Sequence, residues 1–411
     1  MVLHNGEKTR VLKGLGLISE TFHEEARGQI DGYLGIGHVR YATTGKATKL
    51  RNVQPILVDW KGGKLAIAHN GNLTNVAALR ERMEEEGSIF QTTTDSEVVL
   101  HLIARSHRPT LPERVTEALA QVEGAVTCLI MDEHTLIGCR DRLGFRPLSL
   151  GYLDGMYLLA SETCAFDLVG ANFIRDVEPG EMIVLTASGM ESRRIAPEGQ
   201  RAQCMFEQVY FSRPDSIVFG EAVNEVRRQQ GRLLARRHPA DADLVIAIPD
   251  SSNSAAQGFA EESGLPFELG LIRNHYVGRT FIQAGQGQRV DSVRVKFNPV
   301  QSILKGKRIV AVDDSIVRGT TSRKLVDFLF RAGATEVHFR VASPPITHSC
   351  YYGIDTPDRG ELIATSLDVE GIRKYIGATS LGYLAIEDLR ASVGSPDSYC
   401  YACWTGRYPT S

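Results

Sequence analysis

The stretch that most constrains the fold is residues 308–321, which read RIVAVDDSIVRGTT. It opens with an apolar run rich in β-branched side chains, the pattern of a strand buried in a parallel sheet. Two carboxylates, Asp313 and Asp314, follow where that strand ends, and residues 322–332 have the pattern of a helix. Because open α/β sheets bind ligands at the carboxyl ends of their strands, we expect a ligand site here.

The polar residues after this strand suit a phosphorylated sugar. Gly319 lets the backbone approach a ligand, and the amides that enter the helix form an anion-binding nest. Hydroxyl groups are offered by Ser315, Thr320 and Thr321. The acid pair repels phosphate but suits sugar hydroxyls, or an Mg²⁺ ion that keeps most of its waters. The simpler alternative is a turn in which Ser315 only caps the helix, although a cap needs just one of these residues.

The run AVDDSIVRGTT resembles the phosphoribosyl pyrophosphate (PRPP) signature of type I phosphoribosyltransferases. It is most similar to the version found in the glutamine PRPP amidotransferase (amidophosphoribosyltransferase) family, and the resemblance extends over nearly the whole chain. It implies that Arg318, with the Ser, Gly and Thr residues around it, binds PRPP, and that Mg²⁺ is a cofactor. It also implies an enzyme, a pentosyltransferase that makes 5-phosphoribosylamine, pyrophosphate and glutamate at the entry to purine synthesis.

The composition is that of an ordinary globular protein with two or three domains. The chain has 411 residues, is 43% hydrophobic and 23% charged, and carries a formal charge of −3. This charge balance implies no nucleic-acid partner. No apolar run is long enough for a membrane span, and residues 1–20 lack the apolar core of a signal peptide. We therefore expect a cytoplasmic location.

The first half, residues 1–200, mixes short strands and turns with two helical stretches, 75–86 and 95–106. Strand patterns occur at 65–68, 126–131, 135–138, 157–160 and 182–185. Such a mixture predicts an α+β domain of layered antiparallel sheets with helices packed outside.

Three polar clusters interrupt this half, at 37–43, 68–73 and 94–97. Taken singly, Asn70-Gly71 is a hairpin turn, Asp95 a helix cap and Arg40 a surface charge. Taken together, they can recognise an amino acid. Arg40 can bind the α-carboxylate with its two-pronged guanidinium, and Asp95 can accept the α-ammonium. The Asn70 side chain and the Gly71 amide can form an oxyanion hole for amide hydrolysis.

In order and spacing the three clusters resemble the class II glutaminase domain, which has an N-terminal nucleophile and an αββα fold. Further matches are the stretches 144–148 (GFRPL) and 161–165 (SETCA). In that family the nucleophile is a cysteine at the mature N-terminus, whose α-amino group is the base. This chain begins Met1-Val2-Leu3-His4. The resemblance therefore implies an incomplete glutaminase domain, and the chain as written is expected to use only ammonia.

The second half, residues 201–411, alternates strands and helices between 241 and 345, which predicts an α/β domain with a parallel sheet. A strand at 244–248 leads through Asp250, Ser251 and Ser252 into a helix at 253–263. A strand-to-helix turn with two serines is a reasonable pyrophosphate site, although alone it is most often just a cap. The resemblance implies that this turn is the pyrophosphate loop and that Ser251 is a Mg²⁺ ligand.

Residues 273–296 are rich in Gly, Gln and Arg and have few apolar anchors. This pattern predicts a mobile lid, which suits a reaction in which water competes with ammonia; the alternative is an ordinary surface loop. By resemblance to the family's catalytic loop, Arg279 and Lys296 are the candidates for contact with pyrophosphate.

Seven cysteines in a chain of this class do not form a disulfide framework. Cys128, Cys139 and Cys164 fit buried apolar positions. The other four are Cys204, Cys350, Cys400 and Cys403. Their spacing leaves zinc and a [4Fe–4S] cube open. The resemblance to bacterial members of the family implies a structural [4Fe–4S] cluster on these four.

The sequence therefore predicts an enzyme similar to the amidophosphoribosyltransferases. The resemblance further implies that the protein forms a homo-oligomer, a dimer or a tetramer, and that purine nucleotides inhibit it. One rival, a sugar or asparagine amidotransferase, is disfavoured because its synthase domain lacks a DDSIVRGTT run. A second rival is a regulator that binds PRPP or a nucleotide without turnover. No basic recognition helix supports a DNA-binding form of that regulator.

Overall fold

The computed structural model describes residues 1–22, 32–39, 49–197, 199–274 and 296–410. The chain forms two compact units. The first comprises Met1–Gln203, Cys350–Asp355 and Pro409–Ser411, and the second comprises Cys204–Ser349 and Thr356–Tyr408. Two late segments of the chain, Cys350–Asp355 and Pro409–Ser411, thus belong to the first unit.

The first unit contains twelve strands among the described residues. They are β1 (Val2–His4), β2 (Thr9–Val11), β3 (Leu34–Ile36), β4 (Ile56–Trp60), β5 (Gly63–Leu73), β6 (Gly124–Met131), β7 (Thr135–Arg140), β8 (Ser149–Leu153), β9 (Met156–Ala160), β10 (Asn172–Asp176), β11 (Glu181–Thr186) and β12 (Gly189–Arg194). Its helices are α1 (Ile18–Thr21), α2 (Val76–Glu85), α3 (Ser96–Arg105), α4 (Leu111–Leu119) and α5 (Cys164–Val169), with a 3₁₀ turn at Leu50–Asn52.

These strands build one large antiparallel sheet, in the order β12-β11-β7-β6-β5-β4, and two three-stranded sheets, β2-β1-β3 and β10-β8-β9. Strand β5 shows how the layers arise, because side chains alternate between the two faces of a strand. Leu65 and Ile67 pack with helices α2–α4 on one face, while Ala66 and Ala68 pack towards the small sheets on the other. Phe166 of α5 stacks on Phe173 of β10, so α5 packs against the small sheet β10-β8-β9. The predicted αββα layering is confirmed.

The second unit contains a four-stranded core sheet and several short pairs. Its strands are β13 (Gln203–Cys204, which spans the division), β14 (Ile217–Val218), β15 (Glu221–Ala222), β16 (Leu244–Ala247), β17 (Leu271–Arg273), β18 (Phe297–Pro299), β19 (Arg308–Asp313), β20 (Glu336–Val341), β21 (Ser380–Tyr383) and β22 (Tyr399–Cys400). Its helices are α6 (Val223–Arg237), α7 (Asn253–Ser263), α8 (Gln301–Leu304), α9 (Thr320–Arg331), α10 (Val369–Ile376), α11 (Ile386–Ala391) and α12 (Ala402–Thr405). Single turns occur at Glu207–Phe211 (π), Arg359–Glu361, Ile363–Thr365 and Pro396–Ser398 (3₁₀).

The core sheet has the order β16-β19-β20-β21, and all its neighbours are parallel. The apolar run of β19 is buried on both faces, as expected for a central parallel strand. Helix α7 follows β16 and helix α9 follows β19, so both strand-to-helix turns emerge at one edge of the sheet. The predicted parallel domain is confirmed.

Helices α6 and α7 pack at very short range through two glycines. A Cβ on Gly231 would lie 1.9 Å from the Ala255 carbonyl oxygen, and one on Gly258 would lie 2.0 Å from the Arg228 oxygen. The two backbones are therefore in direct contact, which fixes helix α6 against the helix that leaves the turn after β16. Within the described ranges, no helix has the length and apolarity needed to cross a membrane.

Candidate functional site

The acid pair lies at the carboxyl edge of the core sheet, next to the turn after β16. The Ser251 hydroxyl donates to Asp314 Oδ2 at 2.6 Å, and the Ser252 hydroxyl donates to Asp313 Oδ1 at 3.4 Å. The two turns belong to adjacent strands, since Ala247 pairs with Val312. The structure thus brings together two polar turns that are about sixty residues apart in sequence.

Both acids are buried, at 9% exposure for Asp313 and 6% for Asp314. Burial, together with the charge of its neighbour, raises the pKa of Asp313 well above its usual range. Burial also raises the pKa of Asp314, although hydrogen bonds from Ser251 and Ser315 oppose the rise. Two buried carboxyls side by side are costly to ionise together, so this pair favours a cation or a hydroxyl-rich ligand.

The turn after β16 is not a simple helix cap. Ser252 occupies the cap position of α7 but makes no side-chain capping bond, and its hydroxyl instead contacts Asp313. Asp250 is exposed and pairs with Arg273, the last residue of β17. Ser252 therefore lies at the cap position, but the hydroxyls of both serines contact the acid pair.

The turn after β19 runs from Asp314 to Gly319 before helix α9 begins at Thr320. Gly319 has φ +72°, a left-handed backbone conformation that favours glycine. Ser315 donates to Asp314 Oδ1 at 2.6 Å. The alternative in which Ser315 caps the helix is wrong, because the cap position belongs to Gly319.

Three polar residues, at the end of this turn and at the start of α9, are exposed. The side chains of Thr320 and Thr321 are exposed at the start of α9, where helix amides are available to an anion. Arg318 is also exposed, and its Nε donates to Glu361 at 2.7 Å.

The two lid candidates fall at or beyond the limit of the described residues. Lys296 immediately precedes β18, and its carbonyl oxygen accepts a hydrogen bond from Asn274 at 2.8 Å. Strands β17 and β18 pair in antiparallel fashion, so the two ends of the expected lid meet. Arg279 and the rest of 275–295 lie outside the described residues.

In the first unit, Asn70 and Gly71 lie inside strand β5, not in a turn. They pair with Thr127 and Val126 of β6, so the hairpin alternative is wrong. Gly71 has φ +148°, and a Cβ there would lie 2.1 Å from the Ala125 oxygen. Only glycine fits this position, and both residues are half-buried. Arg40 lies outside the described residues.

The orientation of the Asn70 amide is determined by Arg146. The Arg146 side chain is 1% exposed, and its Nε donates to Asn70 Oδ1 at 3.3 Å. Arginine has no acceptor atoms, so the Asn70 oxygen must face it. The Asn70 NH₂ group therefore points elsewhere, as a donor.

A buried charge pair, His69 with Asp95, supports the same strand. His69 Nδ1 lies 3.5 Å from Asp95 Oδ2, and His69 Nε2 lies 3.0 Å from the Ala125 oxygen. Burial disfavours the charged ring, but the Asp95 carboxylate prevails and raises the pKa of His69 to about 9. Burial likewise opposes the ionised form of Asp95, whose pKa His69 nevertheless lowers.

Asp95 caps helix α3 through the Ser96 amide, as the cap interpretation states, and it also accepts from the Leu73 amide. Its contact with a substrate ammonium stays a prediction. Neither His69 nor Arg146 was selected as a site residue from the sequence. The available signal was a charged side chain inside an otherwise apolar strand or turn, which has to find a partner.

None of the seven cysteines forms a disulfide. Cys128 and Cys139 are buried as expected, whereas Cys164 is only half-buried. Cys204 and Cys400 lie on the paired strands β13 and β22. The Cys403 carbonyl accepts the Thr347 and His348 amides, each at 3.1 Å.

Cys350 belongs to the first unit, where its sulfur accepts the Tyr352 amide at 3.3 Å. Burial raises the pKa of the Cys350 thiol, while amide bonds to the sulfur oppose that rise. Within the described part of the chain, no three His, Cys, Asp or Glu side chains group as ligands of one metal ion.

Comparison with known proteins identifies the family. Residues 38–167 match the profile of a glutamine amidotransferase domain. The amidophosphoribosyltransferase of Bacillus subtilis is 49% identical over 416 residues, which covers 100% of this chain and 87% of that protein. The amidophosphoribosyltransferase of Methanothermobacter thermautotrophicus is 46% identical over 409 residues, 99% of this chain and 86% of the relative.

Solved structures agree with these relatives. A structure described as the allosteric regulatory enzyme of purine biosynthesis superposes with a TM-score of 0.94 at 49% identity, covering 100% of this chain and 89% of that one. The structure of glutamine PRPP amidotransferase from Bacillus subtilis, in complex with ADP and GMP, superposes with a TM-score of 0.93. The match covers 100% of this chain and 90% of that one.

Proposed function

Because the chain belongs to the amidophosphoribosyltransferase family, we propose that its second unit transfers ammonia to C1 of PRPP. The C1–N bond forms as the C1–O bond to pyrophosphate breaks. Pyrophosphate leaves with the bonding electron pair, and the attacking ammonia loses one proton. The product is 5-phosphoribosylamine, the entry compound of purine synthesis.

The observation that carries this proposal is the contact of the two strand-ending turns. A buried acid pair lies beside the serine turn 249–252 and the hydroxyl-rich turn 314–321. Such a site offers amides and hydroxyls to phosphate groups and carboxylates to ribose hydroxyls or a hard cation.

The residues present also fit Mg²⁺. This ion is held by one or two carboxylates together with substrate phosphates, and it rarely uses an all-protein cage. Asp313, Asp314 and the Ser251 hydroxyl form such a donor set. When bound, Mg²⁺ neutralises charge that develops on the departing pyrophosphate.

The chain's own part in the reaction is positioning and electrostatics. The exposed amides at the start of α9, with Thr320 and Thr321, bind the 5-phosphate. Arg318 would leave Glu361 to face an incoming phosphate. The backbone amide of Asp250 and the Ser252 hydroxyl, with Lys296 and Arg279 at the lid, would hold the pyrophosphate. No side chain has to act as a nucleophile on C1.

We propose that the first unit binds glutamine. The Asn70 NH₂ group and the Gly71 amide would stabilise the oxyanion of amide hydrolysis. Arg40 and Asp95 would hold the α-carboxylate and α-ammonium of glutamine. The fixed amide of Asn70 supports this role, because an oxyanion needs the donor end of that side chain.

We propose a [4Fe–4S] cluster on Cys204, Cys350, Cys400 and Cys403. Four thiols without disulfides suit this cluster. The amide that donates to the Cys350 sulfur also fits, since hydrogen bonds to ligand sulfurs tune such clusters.

Purine nucleotides are the proposed inhibitors of the enzyme. The support is the Bacillus subtilis relative, whose structure was solved in complex with ADP and GMP. A homo-oligomer, dimer or tetramer, and a cytoplasmic location complete the proposal.

The test is release of pyrophosphate from PRPP with ammonia and Mg²⁺, which bypasses the glutamine site. We expect turnover by the wild type and a loss of at least ~100-fold in Asp314→Asn, since misplacement alone costs that much. Asp327→Asn is the control, because Asp327 pairs with Arg331 on the exposed side of α9. Tight PRPP binding without any turnover would instead identify a regulator.

A further inference from the structure

Arg227 on α6 is a buried arginine to which the proposed reaction assigns no role. Its side chain is 1% exposed. The guanidinium donates to four backbone oxygens: Gln208 at 2.8 Å, Ser212 at 2.7 Å, Glu207 at 3.3 Å and Ser251 at 3.5 Å. Burying a charge is costly unless hydrogen bonds compensate, and here the compensation comes from two separate segments.

One segment is 207–212, which follows Cys204 in the chain. The other is the serine turn 249–252. Ser251 connects that turn to the acid pair, because Arg227 holds its carbonyl while its hydroxyl donates to Asp314 at 2.6 Å. The positive charge of Arg227 also opposes the rise in the pKa of Asp314 that burial causes.

The helix that carries Arg227 cannot shift to accommodate a change in the turn. Gly231, one helical turn further on, lies directly against the Ala255 carbonyl of α7. The Ser254 hydroxyl in the first turn of α7 donates to Asn224 Oδ1 of α6 at 2.8 Å. Arg227 therefore acts from a fixed helix on the serine turn, whose two hydroxyls contact the acids.

We propose that Arg227 is a positioning residue for the PRPP site: it clamps the serine turn 249–252 against the acid pair and ties that turn to segment 207–212. The inference rests on the proposed function, because the group it positions is the site for PRPP and Mg²⁺. Because both segments are hydrogen-bonded to the Arg227 guanidinium, we expect a ligand that orders turn 249–252 to order segment 207–212 as well.

The first test compares Arg227→Met with Arg227→Lys in the ammonia assay, with kcat and the KM for PRPP measured separately. We expect Arg227→Met to lose roughly 10–100-fold in kcat/KM, as a displacement of about 1 Å would cause. Arg227→Lys should recover part of the loss, because it keeps the charge and a donor. A calorimetric titration with PRPP and Mg²⁺, in the absence of ammonia, measures binding alone. The affinity should be highest for the wild type, lower for Arg227→Lys and lowest for Arg227→Met.

Arg232→Met is the matched control. Arg232 lies on the same helix and pairs with Glu261 of α7 at 3.0 Å, but it contacts neither turn. It should leave kcat and KM within about twofold, as expected for an exposed ion pair. Wild-type kinetics in a folded Arg227→Met would overturn the proposal.

The second test needs no variant and decides the matter if the Arg227 variants do not fold. Amide hydrogen exchange of the wild type is followed with and without PRPP and Mg²⁺. We expect ligand to slow exchange in 207–212 as well as in 249–252. Protection confined to 249–252 would overturn the proposal. A wild type that neither binds nor turns over PRPP would refute the proposed function instead.

Discussion

At the scale of single residues, Gly71 shows how tightly one position can be constrained. Two features exclude a side chain at this position: its φ is +148°, and a Cβ would lie 2.1 Å from the Ala125 carbonyl oxygen. The backbone of β5 can therefore present the Gly71 amide only if this residue has no side chain.

We expect Gly71→Ala to lower the free energy of unfolding of the first unit by ~3 kcal/mol or more, because strain adds to a backbone collision. The measurement is urea unfolding by Trp60 fluorescence in a Trp404→Phe background, which leaves one tryptophan. Gly87→Ala is the control. Gly87 has φ +89° but open space around it, so only strain of roughly 1–2 kcal/mol is expected. Equal losses of unfolding free energy in Gly71→Ala and Gly87→Ala would show that the backbone collision at Gly71 contributes nothing.

The charge pair of His69 and Asp95 predicts a pH dependence for the same unit. The pKa of His69 is raised from 6.5 to about 9, so the folded state holds its proton more tightly than the unfolded chain. The stabilisation is fully present below pH 6.5 and is lost as the pH rises to about 9. Asp95, whose pKa is lowered, has the opposite sense, and its contribution is lost only in acid.

The quantity to follow is the free energy of unfolding of the wild type minus that of His69→Gln. We expect this difference to be constant just below pH 6.5, where Asp95 is still ionised, and to shrink between pH 6.5 and about 9. Chemical denaturation at several pH values measures it. The exposed His134→Gln is the control for the loss of a histidine. A His69 difference that grows with pH would show that the ring is held neutral.

At the scale of elements, helices α6 and α7 act as one rigid block behind the serine turn. Their contact depends on Gly231 and Gly258, whose missing side chains let backbone touch backbone. Ion pairs from Arg228, Arg232 and Arg236 to α7 line the exposed edge, but exposed pairs of this kind contribute little.

We expect Gly231→Ala to separate the two helices, because its Cβ would lie 1.9 Å from the Ala255 oxygen. Overpacking of this kind costs typically 1–3 kcal/mol, and the displaced turn should weaken PRPP binding as well. Gly360→Ala, with nothing within 4 Å of its Cβ, is the control. Unfolding by Trp404 fluorescence, in a Trp60→Phe background, and a PRPP titration measure the two effects. If Gly231→Ala lost stability but kept its affinity for PRPP, the packing of α6 on α7 would have no part in positioning the PRPP site.

At the scale of the whole molecule, the proposed cluster takes ligands from widely separated parts of the chain. Cys204, Cys350, Cys400 and Cys403 would each be covalent anchors of one inorganic group. Loss of one anchor should therefore release the metal and lower stability.

We expect protein purified without air to be brown and to contain roughly four irons and four sulfides per chain. Cys400→Ser should lose the colour and unfold at a lower temperature. Cys164→Ser is the matched control, since Cys164 is also half-buried but lies outside the four. Metal analysis and thermal unfolding provide the measurements. Colourless wild type that holds zinc would refute the cluster.

Much of the fold and part of the site could be predicted because the signals are local. The alternation in β5, the apolar run of β19 and the acids that end it follow from neighbouring residues, and so do helices such as α7, predicted at 253–263 and found there. Strand β12 is not among the predicted strands. Its sequence GMESRR is polar because its side chains are largely exposed at the edge of the sheet.

The sequence by itself determined the two fold classes, the order of the elements and the chemistry offered at the end of β19. Hydrophobic period and turn residues act over a few positions, so they can be read along the chain. Only the tertiary structure decided which polar groups meet. Ser251 and Asp314 are 63 residues apart, and Arg146 and Asn70 are 76 apart. Such pairs form because packing brings distant strands together and because a buried charge must find a partner.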